Sequence, residues 1–186
     1  MTTAVFHHLR EYESNFNLPK IKECHFFEIE ERYNQGISYL QEKFYSDYNP
    51  KKTTVLINPN LSMDIKYLER LLKHNSEIKI LYILRDPVLR AYSHFKMSRY
   101  RGIESLRFEE ALAKEPYRFL NPGTYPSYKT QAIGHFERNH YGYKLRSNYA
   151  VIVNFLRSAV KQSHLAILFY EELFENPTKL ASFFQD

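Results

Sequence analysis

The chain has 186 residues, of which 44% are hydrophobic and 16% aromatic, which fits one α/β domain with a real core and argues against two. Its net charge of +5 favours an anionic partner, whether nucleic acid, anionic polysaccharide, phosphorylated cofactor or acidic membrane. The single cysteine, Cys24, excludes an intrachain disulfide and is neutral between compartments.

The N-terminal residues read as a helix from Thr2 to Tyr12, with Val5 and Leu9 on its apolar face. No basic-then-apolar signal pattern precedes this helix, and no run approaches the roughly 18 apolar residues of a membrane span. The sequence therefore predicts a soluble chain and favours the cytoplasm, whereas a Golgi location would require an anchor outside this chain. We also expect the chain to begin inside a structural element.

Strands and helices then alternate along the chain. Thr53–Ile57 and Ile78–Leu84 are rich in β-branched and apolar residues and flank a helical stretch at Asp64–Lys73, which predicts a β-α-β unit. A further strand, Leu165–Tyr170, follows a helix at Tyr149–Val160. This alternation predicts a mostly parallel sheet, whose ligands bind beyond the carboxyl ends of the strands.

The region from Val88 to Asn139 reads as mainly helical, with breaks near Gly102 and through Asn121–Gly123. Close to the end of the chain, Asn176 can cap a helix whose first residue is Pro177. The chain has few residues after this point, so we expect the domain to continue past it.

The stretch KILYILRDPVLRAYSHF predicts an anion site. A strand ends before Arg85, Asp86 can cap the helix that follows, and Pro87 suits its first position. A strand-turn-helix of this kind presents free backbone N–H groups and a positive helix end to an anion. Arg85 adds a planar charged fork, and Ser93 can add a hydroxyl hydrogen bond.

Spacing alone does not decide this site, because Arg85 could instead pair with Asp86 or Glu110 while Ser93 remains an ordinary surface residue. The nine residues RDPVLRAYS, however, resemble the phosphate-binding element of the sulfotransferases, written R-D-P-x-x-R-A-x-S. This resemblance implies that Arg85 and Ser93 hold the 3'-phosphate of the sulfuryl donor, 3'-phosphoadenosine 5'-phosphosulfate (PAPS).

A second segment, KIKECHFFE at positions 20–28, resembles the K-E-x-H-F-F segment of heparan sulfate and bacterial carbohydrate sulfotransferases. The resemblance implies that Glu23 is the catalytic base, with His25 as its helper. A carboxylate can take the proton of a sugar hydroxyl as the bond to sulfur forms. Without the family, Glu23 would be read as a solvated carboxylate between Lys20 and Lys22, and His25 as a satisfied histidine beside two phenylalanines.

Together the two segments favour the carbohydrate branch of the family over the branch that sulfates phenols and steroids. The resemblance implies a P-loop-like mononucleotide-binding α/β fold, with a mostly parallel sheet flanked by helices. It implies a PAPS-dependent enzyme that transfers a sulfuryl group to a carbohydrate hydroxyl or amine. Its partners would be the nucleotide donor and a glycan acceptor, with neither a metal nor nucleic acid.

The sequence also departs from the family pattern. Only Thr2 and Thr3 match the loop resembling K-x-G-T-T that holds the 5'-phosphosulfate, so they are candidate cofactor-binding residues while the Lys and Gly are absent. The segment resembling G-E-K-T-P-x-Y appears at Val55–Leu61 without its charged pair. We therefore expect residues 1–186 to form one partial domain, without its first strand, that transfers sulfate poorly as written.

Two other functions stay open on the sequence. One is a non-catalytic remnant that binds nucleotide or anionic glycan without transfer. The other is a basic nucleic-acid-binding module built on the aromatic and basic residues from Tyr92 to Arg101. The second leaves the order of RDPVLRAYS and KECHFF unexplained.

Overall fold

A computed structural model describes residues 2–11, 14–123 and 135–175 of the chain. The helices in this part are α1 (Thr2–Arg10), α2 (Glu30–Asn34), α3 (Gly36–Phe44), α4 (Ile65–His74), α5 (Pro87–Tyr100), α6 (Phe108–Leu120), α7 (His135–Tyr141), α8 (Ala150–Ala159) and α9 (Tyr170–Glu175). The strands are β1 (Phe16–Asn17), β2 (Thr53–Thr54), β3 (Ile80–Leu84) and β4 (Leu165–Phe169). None of these helices has the length and apolar character needed to cross a membrane.

The described strands form two parallel pairs, β1 with β2 and β3 with β4. In the longer pair Ile80 lies opposite Leu165 and Leu84 lies opposite Phe169, so both strands end at the same level. The predicted parallel pairing and α/β class are confirmed. The chain segments that follow Leu84 and Phe169 therefore leave the sheet side by side.

The strand predicted over Thr53–Ile57 is shorter, and it does not pair with β3. It pairs instead with β1, a strand too short to leave a sequence pattern. The Asn17 side chain of β1 sets the register, because it donates to the carbonyls of Asn49 at 2.8 Å and Lys52 at 3.1 Å. Beyond β2 the chain turns into a 3₁₀ helix at Pro59–Met63. The two strands of the predicted β-α-β unit therefore fall in separate pairs.

Local capping signals place two of the predicted helices. The Asp64 carboxylate accepts from the N–H of Lys66 at 3.0 Å at the start of α4. The Asp86 carboxylate accepts from the N–H of Leu89 at 2.7 Å, with Pro87 as the first residue of α5. The predicted roles of Asp86 and Pro87 are thereby confirmed, and α5 leads directly out of the end of β3.

The remaining helix predictions agree with the described ranges. The first helix ends at Arg10 rather than Tyr12, and α8 lies within the predicted Tyr149–Val160. The expected break follows α5, where Gly102 has a φ of +69° that favours glycine. The helix start predicted at Asn176 and Pro177 lies outside the described residues.

The larger core fixes the segment that contains Glu23 and His25. Cys24 and Phe27 are buried, and they pack with residues of α4, with Leu156 of α8 and with the strand pair. Burial also raises the pKa of the Cys24 thiol to about 11, so this thiol is protonated and unreactive at neutral pH. A smaller core joins α5 to α6 through Phe95 and Ala111.

Three buried histidines make the fold sensitive to acid. Burial lowers the pKa of His94 to about 3 and that of His140 to about 4, with nearby arginines acting in the same direction. Burial also lowers the pKa of His135. All three are therefore neutral in the folded protein, whereas in the unfolded chain each binds a proton below about pH 6.5.

We expect the free energy of unfolding to be highest above about pH 6.5, where these histidines are neutral in both states. It should fall as the pH drops towards the pKa values of His94 and His140 in the folded protein. Urea unfolding measured from pH 7.5 to 5 should show uptake of about two to three protons on unfolding. His94→Gln should remove about one of them, whereas the matched change at exposed His74 should not. Stability independent of pH over this range would contradict the prediction.

Candidate active site

Arg85 lies at the carboxyl end of β3, where the sequence predicts an anion site. The matched register of β3 and β4 brings it beside Tyr170, and its guanidinium carbon lies 5.3 Å from the centre of that ring. The Tyr149 hydroxyl donates to the Arg85 carbonyl at 3.0 Å. Two aromatic side chains thus fix the backbone and the guanidinium at this strand end.

Neither carboxylate considered as an alternative partner pairs with Arg85. Asp86 caps α5, and Glu110 accepts from the N–H of Arg107 at 3.0 Å. Within the described ranges Arg85 forms no ion pair, and its Nε is buried without a hydrogen-bond partner. A buried donor of this kind is costly unless a ligand satisfies it. The Arg85 charge is therefore available to an anion.

Ser93 is exposed further along α5, and its hydroxyl has no hydrogen-bond partner within residues 2–11, 14–123 and 135–175. Thr2 and Thr3 form the first residues of α1. The side-chain contacts of these two threonines lie outside the described part of the chain. Their assignment to the donor stays a prediction.

Glu23 and His25 have an unusual backbone conformation. Their φ angles are +64° and +49°, in the left-handed region that non-glycine residues rarely adopt. The residue between them, Cys24, is buried and its carbonyl accepts a hydrogen bond from Arg32. The Phe27 carbonyl accepts from Arg70 at 2.9 Å. These anchors hold a conformation that places both side chains together, with 3.9 Å between Glu23 Oε2 and His25 Nε2.

The imidazole of His25 lies between two carboxylates. Its Nδ1 is 3.0 Å from Glu28 Oε1, and the other oxygen of Glu28 accepts from the Asn58 side chain at 2.7 Å. The Glu28 side chain is fully buried, so its position is fixed. This contact favours a proton on Nδ1 and turns Nε2 towards Glu23.

Glu23 is not the solvated carboxylate that the bare sequence suggests. Its side chain is 27% exposed, and one oxygen contacts the ammonium group of Lys22. Lys20 instead pairs with Asp47 at 3.3 Å on the surface. Glu23 is thus partly shielded from water while it remains open to a ligand.

Two further arginines lie within electrostatic range of these groups, since Arg90 feels the charge of Arg85, and Arg146 feels those of Arg90 and Glu23. Arg90 donates through Nε to the Ser147 hydroxyl at 2.7 Å and through Nη2 to the carbonyls of Gly142 and Tyr143. Arg146 donates to the Asn60 side chain at 2.9 Å. All of these acceptors are neutral. We call Arg85, Arg90 and Arg146 the arginine row.

The charges of the arginine row repel one another. Burial lowers the pKa of Arg90, and the charge of Arg85 acts in the same direction. Burial and the charge of Arg90 lower the pKa of Arg146 to about 10, against the opposing influence of Glu23 and Glu28. No member of the row has a carboxylate within ion-pair distance in the described ranges, so the row makes this region electropositive, and Arg85 has a free donor for an anion.

Sequence reasoning missed three of these residues. Glu28, Arg146 and Asn58 each act through a partner far away in the chain, so spacing gave no sign of them. The one signal in the sequence was Glu28 itself, since a carboxylate within the apolar run after His25 is unusual and indicates a buried, paired group. The segment Val55–Leu61, which lacks the charged pair of the family, still supplies asparagines that hold Glu28 and Arg146.

No group of three His, Cys, Asp or Glu side chains in the described part of the chain is arranged to hold a metal ion. The charged groups that the structure places at this site are arginines and carboxylates. Its components are an anion-binding row, a partly shielded carboxylate and an oriented imidazole. This set can bind a phosphorylated ligand and remove a proton from a second one.

The comparisons with known proteins agree with the motifs. Residues 2–183 match the family model described as a sulfotransferase domain. A stretch of 74 residues is 36% identical to heparan sulfate glucosamine 3-O-sulfotransferase 5 of Homo sapiens and to that of Mus musculus. This match covers 40% of the chain and 21% of each relative, so it spans about a fifth of their length.

A solved structure shares the fold. The crystal structure of a sulfotransferase from Alicyclobacillus acidocaldarius aligns with a TM-score of 0.73 at 19% identity, over 96% of this chain and 72% of that one. The fold predicted from the motifs is thereby confirmed. Because the family model covers nearly the whole chain, the chain belongs to the sulfotransferase domain family.

Proposed function

We propose that the protein transfers a sulfuryl group from PAPS to a carbohydrate hydroxyl or amine. The observation that carries this proposal is the arginine row, none of whose members has a carboxylate within ion-pair distance in the described part of the chain. A nucleotide donor with phosphate groups on both the 3' and the 5' position of its ribose supplies anions that such arginines can bind. Membership of the sulfotransferase domain family supports the same reaction.

In this proposal Arg85 and Ser93 bind the 3'-phosphate of the donor, as the RDPVLRAYS resemblance implies. The buried, unsatisfied Nε of Arg85 supports the assignment. Thr2 and Thr3 would contact the 5'-phosphosulfate at the start of α1. The sulfuryl group would then face the segment that contains Glu23.

Glu23 takes the proton from the acceptor hydroxyl or amine as the acceptor atom attacks sulfur. The new bond to sulfur forms while the bond from sulfur to the bridging phosphate oxygen breaks, which releases adenosine 3',5'-bisphosphate. His25, oriented by Glu28, presents Nε2 to Glu23, and this nitrogen can accept a hydrogen bond from the carboxyl group once it has taken the proton. The nearby arginines stabilise the negative charge that develops on the leaving group.

A transfer assay with radiolabelled PAPS tests the proposal. We expect label to move slowly to an oligosaccharide of alternating glucuronate and glucosamine, and not to a simple phenol. Binding of adenosine 3',5'-bisphosphate without transfer to any glycan would favour the non-catalytic alternative. Absence of both binding and transfer would overturn the proposal.

A further inference from the structure

A cavity of about 440 Å³ lies where the start of α8 meets the end of α6 and the residues that precede α4. Its volume is within the usual range for a small-molecule site. Apolar walls come from Phe119, Leu145 and Val151, and its polar groups include Arg138, Arg146 and Asn148. Apolar walls with a few polar groups suit a sugar ring, which has apolar faces and a polar rim.

The two arginines of this cavity differ in their charge balance. Arg138 pairs with Asp64, whose carboxylate also lines the cavity, at 3.0 Å. Among the described residues, Arg146 donates only to the neutral side chains of Asn60 at 2.9 Å and Asn139 at 3.3 Å, and to a backbone carbonyl. In the described part of the chain, Arg146 is thus the unbalanced charge of the cavity.

The guanidinium of Arg146 is already held in place. Its asparagine partners fix its orientation before any ligand binds, so an anion would not need to order it. The pKa of Arg146, lowered to about 10, leaves it protonated at neutral pH although burial and Arg90 oppose its charge. An anion beside Arg146 would offset both the cost of burying its charge and its repulsion from Arg90.

The cavity adjoins the residues proposed for catalysis. Asn60, which holds Arg146, lies two positions after Asn58, which holds Glu28. The charges of Glu23 and Glu28 also act on Arg146. A ligand ring in the cavity would therefore lie close to a neighbouring ring whose hydroxyl or amine is presented to Glu23.

We propose that Arg146 is the specificity-determining residue of the acceptor site, and that it selects a sugar bearing a carboxylate or sulfate in this cavity. The assignment of this cavity to the acceptor rests on the proposed function. The selected ring adjoins the ring that receives the sulfuryl group. The guanidinium recognises the two oxygens of a carboxylate or two oxygens of a sulfate.

The test compares two matched oligosaccharides in the presence of adenosine 3',5'-bisphosphate. One alternates glucuronate and N-acetylglucosamine, and the other is the same chain with its carboxylates reduced to alcohols. Calorimetry should show tighter binding of the anionic chain. Arg146→Gln should reduce that preference by roughly 10- to 100-fold, because it removes a charge-assisted hydrogen bond, while affinity for the neutral chain is retained.

Arg157→Gln is the matched control, since Arg157 is exposed on α8 and its loss changes the net charge equally. It should keep the preference. If both variants lose the preference equally, attraction is non-specific and the inference is wrong. It is also wrong if Arg146→Gln keeps the preference or weakens both ligands equally.

Arg146→Lys provides a second test should the glutamine variant unfold. It keeps the charge but loses the planar fork, so it should weaken binding of the anionic chain several-fold and leave the neutral chain unchanged. An unchanged preference in this variant overturns the inference. Equal binding of the two oligosaccharides by the unsubstituted protein also overturns it, whereas the proposed transfer reaction would then still stand on the assay with labelled PAPS.

Discussion

Glu23→Gln is expected to lower turnover by about 10²–10⁴ while nucleotide affinity stays nearly unchanged, because the amide cannot take the acceptor proton. Gln has nearly the same shape, so the backbone held by Cys24 and Arg32 should persist. The substitution also removes the charge attraction between position 23 and Lys22. Nucleotide binding must therefore be measured alongside turnover.

Turnover is followed with labelled PAPS at saturating acceptor, and nucleotide affinity by calorimetry with adenosine 3',5'-bisphosphate. Glu31→Gln is the matched control, since Glu31 is an exposed carboxylate of α2. It should retain normal turnover. A Glu23→Gln enzyme with near-normal turnover would rule out Glu23 as the base, and parallel losses of turnover and nucleotide affinity would indicate a structural role.

The strand-turn-helix at Arg85 could be predicted because its signals are local. An apolar run ends at Leu84, Asp86 caps within three residues, and Pro87 sets the first helical φ. The parallel arrangement of the strands followed from strands alternating with helices, although the pairing of β3 with β4 itself was not predicted. The strand end, the cap and the helix start depend on neighbours in the chain, so the sequence pattern was sufficient to find them.

The rest of the site depends on contacts between distant segments. The Glu28 carboxylate accepts a hydrogen bond from Asn58, and Arg146 donates one to Asn60 from a different part of the chain. Neither contact has a periodicity or a capping signal that a sequence pattern could carry. The short pairing of β1 with β2 likewise depends on the hydrogen bonds of one buried side chain, Asn17.

The backbone at Glu23 and His25 shows why local propensity fails at this site. Neither residue is glycine, yet both have positive φ angles. Tertiary anchors at Cys24 and Phe27 impose this conformation against the local preference. Such local conflicts are expected where function rather than stability selects the residue. Only the family resemblance singled out Glu23 in the sequence.

The second large effect is expected at Arg85. Adenosine 3',5'-bisphosphate should bind more tightly than adenosine 5'-monophosphate, because only the former has the 3'-phosphate assigned to Arg85 and Ser93. Arg85→Ala should remove most of that difference, about 1.5–3 kcal/mol for a hydrogen bond to a charged group, or roughly 10- to 150-fold in affinity. Binding of the monophosphate should change little.

The ratio of the two affinities isolates the 3'-phosphate, since a general loss of structure would weaken both nucleotides alike. Calorimetry on each variant gives this ratio directly. Arg157→Ala, an exposed arginine of α8, removes the same charge and should leave the ratio unchanged. The Nε of Arg85 is buried and has no hydrogen-bond partner in the described part of the chain. We therefore expect the difference in nucleotide affinity to come from a hydrogen bond to a phosphate oxygen, and not only from net positive charge. Equal affinities for the two nucleotides in the unsubstituted protein would show that the 3'-phosphate binds elsewhere.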